Sequence, residues 1–345
     1  MTMRRRLPLA HLPTPIQRPR RLVEATGIDL WIKRDDMTGG AEAGNKIRKL
    51  EFLLAEALSL ECDTVITCGG LQSNHSRATA LCAASLGLKT ILILRTDDPD
   101  NVTVDGNLLL DRLADAEVRF MSPEQWPDRN RIMDQAADAL LREGRKAYVI
   151  PEGGSNGLGA LGYVEAMAEV RRQIDLGLGG GKPYDAVVVA CGSGGTAAGL
   201  ALGASMYGVA REVIAMAVCN DAAYFEALIA DIIKDARRVD PRLTDPARVV
   251  VHDGCKGPAY AVMSLEQRKL LARVTSLSGL VLDPVYTGKA FAAVVADGEA
   301  SGGKRGKGTA LFWSTQSSAT LAEGPVPAGE VVASFRAAIE APSPS

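Results

Sequence analysis

An α/β fold built on parallel sheets is what this 345-residue sequence predicts. Three observations carry that expectation. Short β-branched runs alternate with helix-length segments along the chain. The runs are mostly apolar without a period of two, as strands buried on both faces are. The intervening segments carry apolar residues at i, i+3 and i+4 spacing.

The strand candidates, in order, are 29–34 (DLWIKR), 63–68 (DTVITC), 89–94 (KTILIL), 116–121 (AEVRFM) and 146–150 (KAYVI). Then come 185–191 (DAVVVAC), 212–218 (EVIAMAV), 248–252 (RVVVH) and 309–314 (TALFWS). In NKIRKLEFLLAEALSL, Ile47, Leu50, Leu54 and Leu58 form one apolar stripe, so a helix is expected there. The start, MTMRRRLPLAHLPTPIQ, is too Pro-rich for a signal segment and reads as an extended arm. LGLGGGKP (176–183) reads as a loop or hinge.

Composition excludes several classes of function. The chain is 47% hydrophobic and 23% charged with a net charge of −2, which gives no electrostatic case for nucleic acid or an anionic membrane. No apolar run approaches the roughly 20 residues that span a bilayer. The six cysteines form no CxxC pair and are expected to be reduced in a cytoplasmic protein. Three scattered histidines make a transition-metal site improbable.

In open α/β sheets, ligands sit at the carboxyl ends of strands. Four such places stand out. CGGLQSNHSRATA puts Gln72, Ser73, Asn74 and His75 at a helix start, where free N–H groups suit a carboxylate or phosphate, although Ser73 or Asn74 could merely cap the helix. VVVACGSGGTAAGL runs a strand into Gly192, Ser193, Gly194, Gly195 and Thr196, a phosphate-type turn that matches neither GxGxxG nor a Walker loop. LDPVYTGKA carries Tyr286 and GPAY carries Tyr260, each alternatively a buried tyrosine with a satisfied hydroxyl. LFWSTQSSAT ends a strand in a polar run that is either a pocket wall or a solvated loop.

The stretch GGAEAGNKIRKLE is the fifth. Its lysine comes one position late for a P-loop and no Ser or Thr follows. Positive charge at a helix start is unfavourable. That placement, with Arg48 and Lys49 nearby, would lower the pKa of Lys46 and prepare its amine for Schiff-base chemistry; otherwise it is a surface lysine.

GNKIRKLE, QSNHSRATA, CGSGGTAAGL, GPAY and DPVYTGKA, in this order, resemble the pyridoxal phosphate enzymes that include 1-aminocyclopropane-1-carboxylate (ACC) deaminase, D-cysteine desulfhydrase and L-cysteate sulfo-lyase. HLPTPIQ and WIKRDD match too, so the resemblance covers residues 7 to 320. It implies pyridoxal phosphate fold type II, the tryptophan-synthase-β kind, with two parallel-rich α/β domains and the cofactor between them. The small domain would span 52–165, and 1–51 with 166–345 would form the large one. A homodimer is implied.

Carried over residue by residue, Lys46 would be joined to the cofactor and Asn74 would face its phenolic oxygen. Ser73 would bind the substrate carboxylate, and Gly192 to Thr196 would hold the phosphate. Tyr260 and Tyr286 would line the substrate side, with Gln72, His75 and Gln316 beside them.

Two departures bear on specificity. Where ACC deaminases carry an acid facing the pyridine nitrogen, this chain has Thr287, which implies a weaker electron sink and argues against cyclopropane opening. Near Thr315, where desulfhydrases read like HTGG, it has Ser314-Thr315-Gln316-Ser317. Extra donors would suit a sulfonate. The expected activity is therefore carbon–sulfur β-elimination from L-cysteate, with D-cysteine as the alternative substrate.

Overall fold

The computed structural model describes residues 5–254, 264–300 and 308–316, with the side chains of 296–300 left aside. Its elements run β1 (Ile16–Gln17), α1 (Arg20–Thr26), β2 (Leu30–Arg34), α2 (Asn45–Ser59), β3 (Thr64–Gly70), α3 (Asn74–Ser85) and β4 (Lys89–Arg95). They continue with α4 (Gly106–Leu113), β5 (Glu117–Met121), α5 (Arg129–Arg142), β6 (Ala147–Val149), α6 (Gly157–Asp175), β7 (Tyr184–Cys191) and α7 (Gly195–Met206). The last are β8 (Ala210–Ala217), α8 (Ala222–Val239), β9 (Arg248–His252), α9 (Leu265–Ser278), α10 (Thr287–Ala300) and β10 (Ala310–Ser314).

Two sheets form. One has the order β1-β2-β10-β7-β8-β9 and the other β5-β4-β3-β6. Every pairing is parallel except that of β1 with β2. Central strands such as β3 and β7 are buried along nearly their whole length, whereas β5, at an edge, alternates. All nine expected strands are present within two residues. The arm differs from its expected form: Ile16 and Gln17 pair antiparallel with Lys33 and Ile32, and two residues are too few to leave a periodic signal.

Helices α2, α6 and α7 pack at the centre of the largest apolar cluster, which includes Ile47, Leu50, Leu53, Leu54, Val164, Met167, Leu200 and Leu202. Close approach depends on glycine at one point in particular. A Cβ on Gly162 would lie 2.1 Å from the Arg48 carbonyl oxygen, so any side chain there would drive α6 off α2.

Beside that contact lies a buried charge cluster. Arg48 Nε and one terminal nitrogen each donate to Asp35 at 2.8 Å, and Arg48 reaches the two Glu169 oxygens at 3.0 and 3.1 Å. Lys33 Nζ donates to Glu169 Oε1 at 2.5 Å. Tyr163, Trp313 and Thr14 also donate to Asp35, at 2.8, 2.7 and 2.9 Å. The two cations and two carboxylates balance, and every one is buried. The cluster joins the arm, β2, α2, α6 and β10. Burial alone would raise the Asp35 and Glu169 carboxyls, but Arg48, with Lys33, overrides it and holds both below their ordinary values.

Replacing Arg48 with Met would strand two buried carboxylates. Urea unfolding of the cofactor-free protein should show a loss on the order of 3–5 kcal/mol. Because both carboxyls are held low when folded, the unfolded chain takes up protons first below about pH 4, and the cluster's contribution should fade there in the wild type.

Candidate active site

The carboxyl ends of strands from both sheets converge on one cleft. Its lining includes Lys46 from α2, Ser73, Asn74 and His75 from the turn after β3, and Glu152 and Gly153 from the turn after β6. Gly192, Ser193, Gly194 and Thr196 come from the turn after β7, and Thr315 and Gln316 from the end of β10. Tyr286 closes one side.

Lys46 stands in the first turn of α2, and the helix start is pinned from three directions. Gly44 N donates to Thr38 Oγ1 at 2.8 Å, Asn45 N donates to the Thr315 carbonyl at 2.8 Å, and Asn45 Nδ2 donates to Thr196 Oγ1 at 3.1 Å. Gly44 has φ 126° and its Cβ would meet Gln316 Oε1 at 2.1 Å, so only glycine fits. The Lys46 amine makes no hydrogen bond among the described residues. Burial pushes it down from 10.5 to about 8, against the opposing carboxylate of Glu152.

The expected help from Arg48 and Lys49 takes another form. The charge of Arg48 is matched by Asp35 and Glu169, and its guanidinium belongs to the buried cluster. Lys49 donates to the Gly153 carbonyl and to Ser155 Oγ, both at 3.0 Å, and Ser155 Oγ lies 2.9 Å from Ser193 Oγ. Burial, then Lys46, pushes the Lys49 amine well below its ordinary value. Desolvation, rather than a neighbouring cation, is what disfavours charge on Lys46.

At the start of α3, Ser73 Oγ accepts from Ser76 N at 3.2 Å, so Ser73 does cap the helix while also lining the cleft. His75 is buried, and burial first, then Lys46 and Lys49, keeps its ring well below 6.5. Thr67 Oγ1 gives its one hydrogen to the Ile150 carbonyl at 2.8 Å, so toward His75 Nε2, 2.9 Å away, it can only accept. The proton therefore sits on Nε2, and the buried Nδ1 has no partner among the described residues.

At the start of α7, Gly194 takes φ 74° and the helix has no side-chain cap, which leaves first-turn N–H groups for an anion. Gly195 faces the other way: a Cβ there would meet Ser155 Oγ at 2.6 Å and Lys49 Nζ at 2.9 Å. Tyr286 lies flush on Gly192, whose Cβ would meet its ring at 2.9 Å.

Among the described residues, three expected at the site do not line this cleft: Gly195, Gln72 and Thr287. Gln72 is not part of its lining; it donates to Asp105 Oδ1 at 2.9 Å and accepts from Asn107 N at 2.8 Å. Thr287 lies behind the wall, fully buried, with Oγ1 2.5 Å from Asp283 Oδ2. The Asp283 carboxylate caps this turn through Val285, Tyr286 and Thr287 N–H groups. Tyr260 lies outside the described residues.

Glu152 and Gly153 were not singled out by sequence. The signal was the one used elsewhere: in KAYVIPEGGSN a strand ends in paired glycines. Burial raises the Glu152 carboxyl, partly offset by Arg129 at 3.1 Å.

A family model described as pyridoxal-phosphate dependent enzyme matches residues 7–314. The mitochondrial bifunctional D-cysteine desulfhydrase/1-aminocyclopropane-1-carboxylate deaminase of Arabidopsis thaliana is 44% identical over 290 residues, 82% of this chain and 70% of its own length. The crystal structure of an ACC deaminase homologue superposes with a TM-score of 0.80 at 36% identity, covering 90% of this chain and 91% of that one. A threonine deaminase structure shares the fold at 18% identity, with a TM-score of 0.63 over 91% of this chain and 95% of its own.

An amine that titrates near 8 is about one-tenth neutral at pH 7, several hundredfold more than an ordinary lysine. The rate at which cofactor-free protein captures pyridoxal phosphate should therefore rise with pH to a midpoint near 8. A midpoint near 10.5 would mean that the amine is solvated.

Proposed function

The chain belongs to the pyridoxal-phosphate-dependent enzyme family, and from that premise we propose that it is a β-eliminating lyase converting D-cysteine and water to pyruvate, sulfide and ammonia. The cleft fits the cofactor. A Cβ on Gly153 would fall 2.3 Å from Ser193 Oγ and 3.3 Å from Lys46 Nζ, so glycine keeps open the space between the amine and the anion-binding turn.

When bound, pyridoxal phosphate supplies the electron sink that lets a Cα proton leave. The residues would supply the rest. First-turn N–H groups of α7, with Ser193 and Thr196, would hold the phosphate. Asn74 would donate to the phenolic oxygen. Ser73 and the start of α3 would take the substrate carboxylate. Lys46 Nζ, displaced by the substrate amine, would take the Cα proton as the β-thiol leaves as sulfide. The wall formed by Tyr286 would orient the substrate.

The charge of the cleft wall carries the choice of substrate. Among the described residues, the lining holds one lysine, Lys46, which the cofactor would occupy, no arginine, and one carboxyl group, Glu152. The two helix starts are already assigned, one to the phosphate and one to the carboxylate. A sulfonate would need a third anion site. Of the polar run at the end of β10, Ser314 Oγ is buried outside the cleft lining and Gln316 Oε1 accepts from Arg77 at 3.4 Å, while Ser317 and Ser318 lie outside the described residues. A neutral thiol needs no such site. The Arabidopsis relative, whose name includes D-cysteine desulfhydrase, supports the same reading.

The reading that L-cysteate is the preferred substrate has as its support, among the described residues of that run, Thr315 and Gln316 alone. ACC, with one carboxylate, meets the same anion sites, and the relatives' names keep it as the second reading.

D-cysteine, L-cysteate and ACC offered separately decide between these readings. Sulfide with pyruvate from D-cysteine is expected, and Lys46→Ala should abolish it together with the cofactor's visible absorption. Sulfite from L-cysteate, or 2-oxobutyrate from ACC, without sulfide from D-cysteine would replace this assignment.

A further inference from the structure

We propose that Asn107, on α4 and outside the cleft lining, is a positioning residue that works with Arg77 to fix the amide of Asn74 with its nitrogen toward the cofactor. The inference rests on the reading of Asn74 as the donor to the cofactor's phenolic oxygen.

An amide side chain can present either end, so something must choose. Arg77 makes the choice, because a guanidinium can only donate. Its NH1 lies 3.0 Å from one end of the Asn107 amide, which must therefore be Oδ1. The other end of Asn107 is then Nδ2, which donates to the Gln72 carbonyl at 2.8 Å and to one end of the Asn74 amide at 3.0 Å. That end of Asn74 must be Oδ1, and Arg77 NH1 also reaches it, at 3.4 Å. Asn74 Nδ2 is left without a partner among the described residues, on a side chain that lines the cleft.

The anchor itself is held. Arg77 is buried, and its NH2 donates to the Ala43 carbonyl at 2.8 Å, three residues before Lys46. Asn107 is held at its backbone too, since its N–H donates to Gln72 Oε1 at 2.8 Å. The amide of Asn74 is thus tied to the segment that carries the reactive lysine.

A donor to the phenolic oxygen favours its ionised form. Losing or reversing that donor makes the lysine–cofactor linkage harder to deprotonate. The readout is the pH midpoint of the visible absorption band of the cofactor-loaded protein, compared among wild type, Asn74→Ala, Asn107→Ala and Asn107→Asp. Asn74→Ala and Asn107→Ala should each raise the midpoint by roughly one unit.

Asn107→Asp is nearly isosteric and keeps a partner for Arg77, yet it offers only acceptors toward Asn74. It invites the Asn74 amide to turn its nitrogen away from the cofactor, so its midpoint should rise at least as far as that of the alanine variant. A packing role alone would make aspartate the milder change. A shift in Asn74→Ala without one in the Asn107 variants would overturn the positioning role and leave the site reading intact. No shift in any variant would overturn both.

Discussion

Asp35 and Arg48 form the contact on which the rest depends. Their two-pronged ion pair, closed by Glu169 and Lys33, sits where the N-terminal arm, β2, α2, α6 and β10 meet. A buried pair of this kind contributes little net stability compared with a well-packed apolar core, but removing one partner is severe. Its value here is placement. Arg48 is two residues beyond Lys46, so the cluster fixes the height and rotation of the first turn of α2 against both β10 and α6.

Placement then determines chemistry. Three basic residues crowd one helix start, and each is treated differently. Arg48 is neutralised by carboxylates. Lys49 is consumed by the Gly153 carbonyl and Ser155. Lys46 alone is without a hydrogen-bond partner among the described residues, half-buried and facing a gap kept open by Gly153. The unfavourable helix-start position and the desolvation act in the same direction, toward a neutral amine. Around that amine stand the starts of α3 and α7, the two places proposed for anions, and Glu152, which is ion-paired with Arg129.

Much of this was legible in the sequence, and the exceptions share a cause. The apolar stripe of α2 through Ile47, Leu50 and Leu54, though not the exposed Leu58, the strands buried on both faces and the loops after β3 and β7 are local patterns, and local patterns survive without coordinates. The partners of Arg48 do not: Asp35 is 13 residues away and Glu169 is 121. Asn107 is 33 residues from Asn74 and carries no motif of its own. Thr287 lies behind the cleft wall for a different reason. Asp283, Pro284 and the residues after them form a side-chain-capped turn, which draws the threonine hydroxyl inward to the carboxylate. Gln72 likewise sits in the right loop but faces Asp105 and Asn107. The residues that line a site were largely readable; those that aim them depend on distant contacts.

The central claim is that Lys46, and not its deeper neighbour Lys49, carries the cofactor. Borohydride reduction of the cofactor-loaded protein followed by peptide mapping tests it directly. The account predicts the reduced cofactor on Lys46 within the segment Asn45–Ser59. Finding it on Lys49, or on Lys289 at the start of α10, would contradict the account.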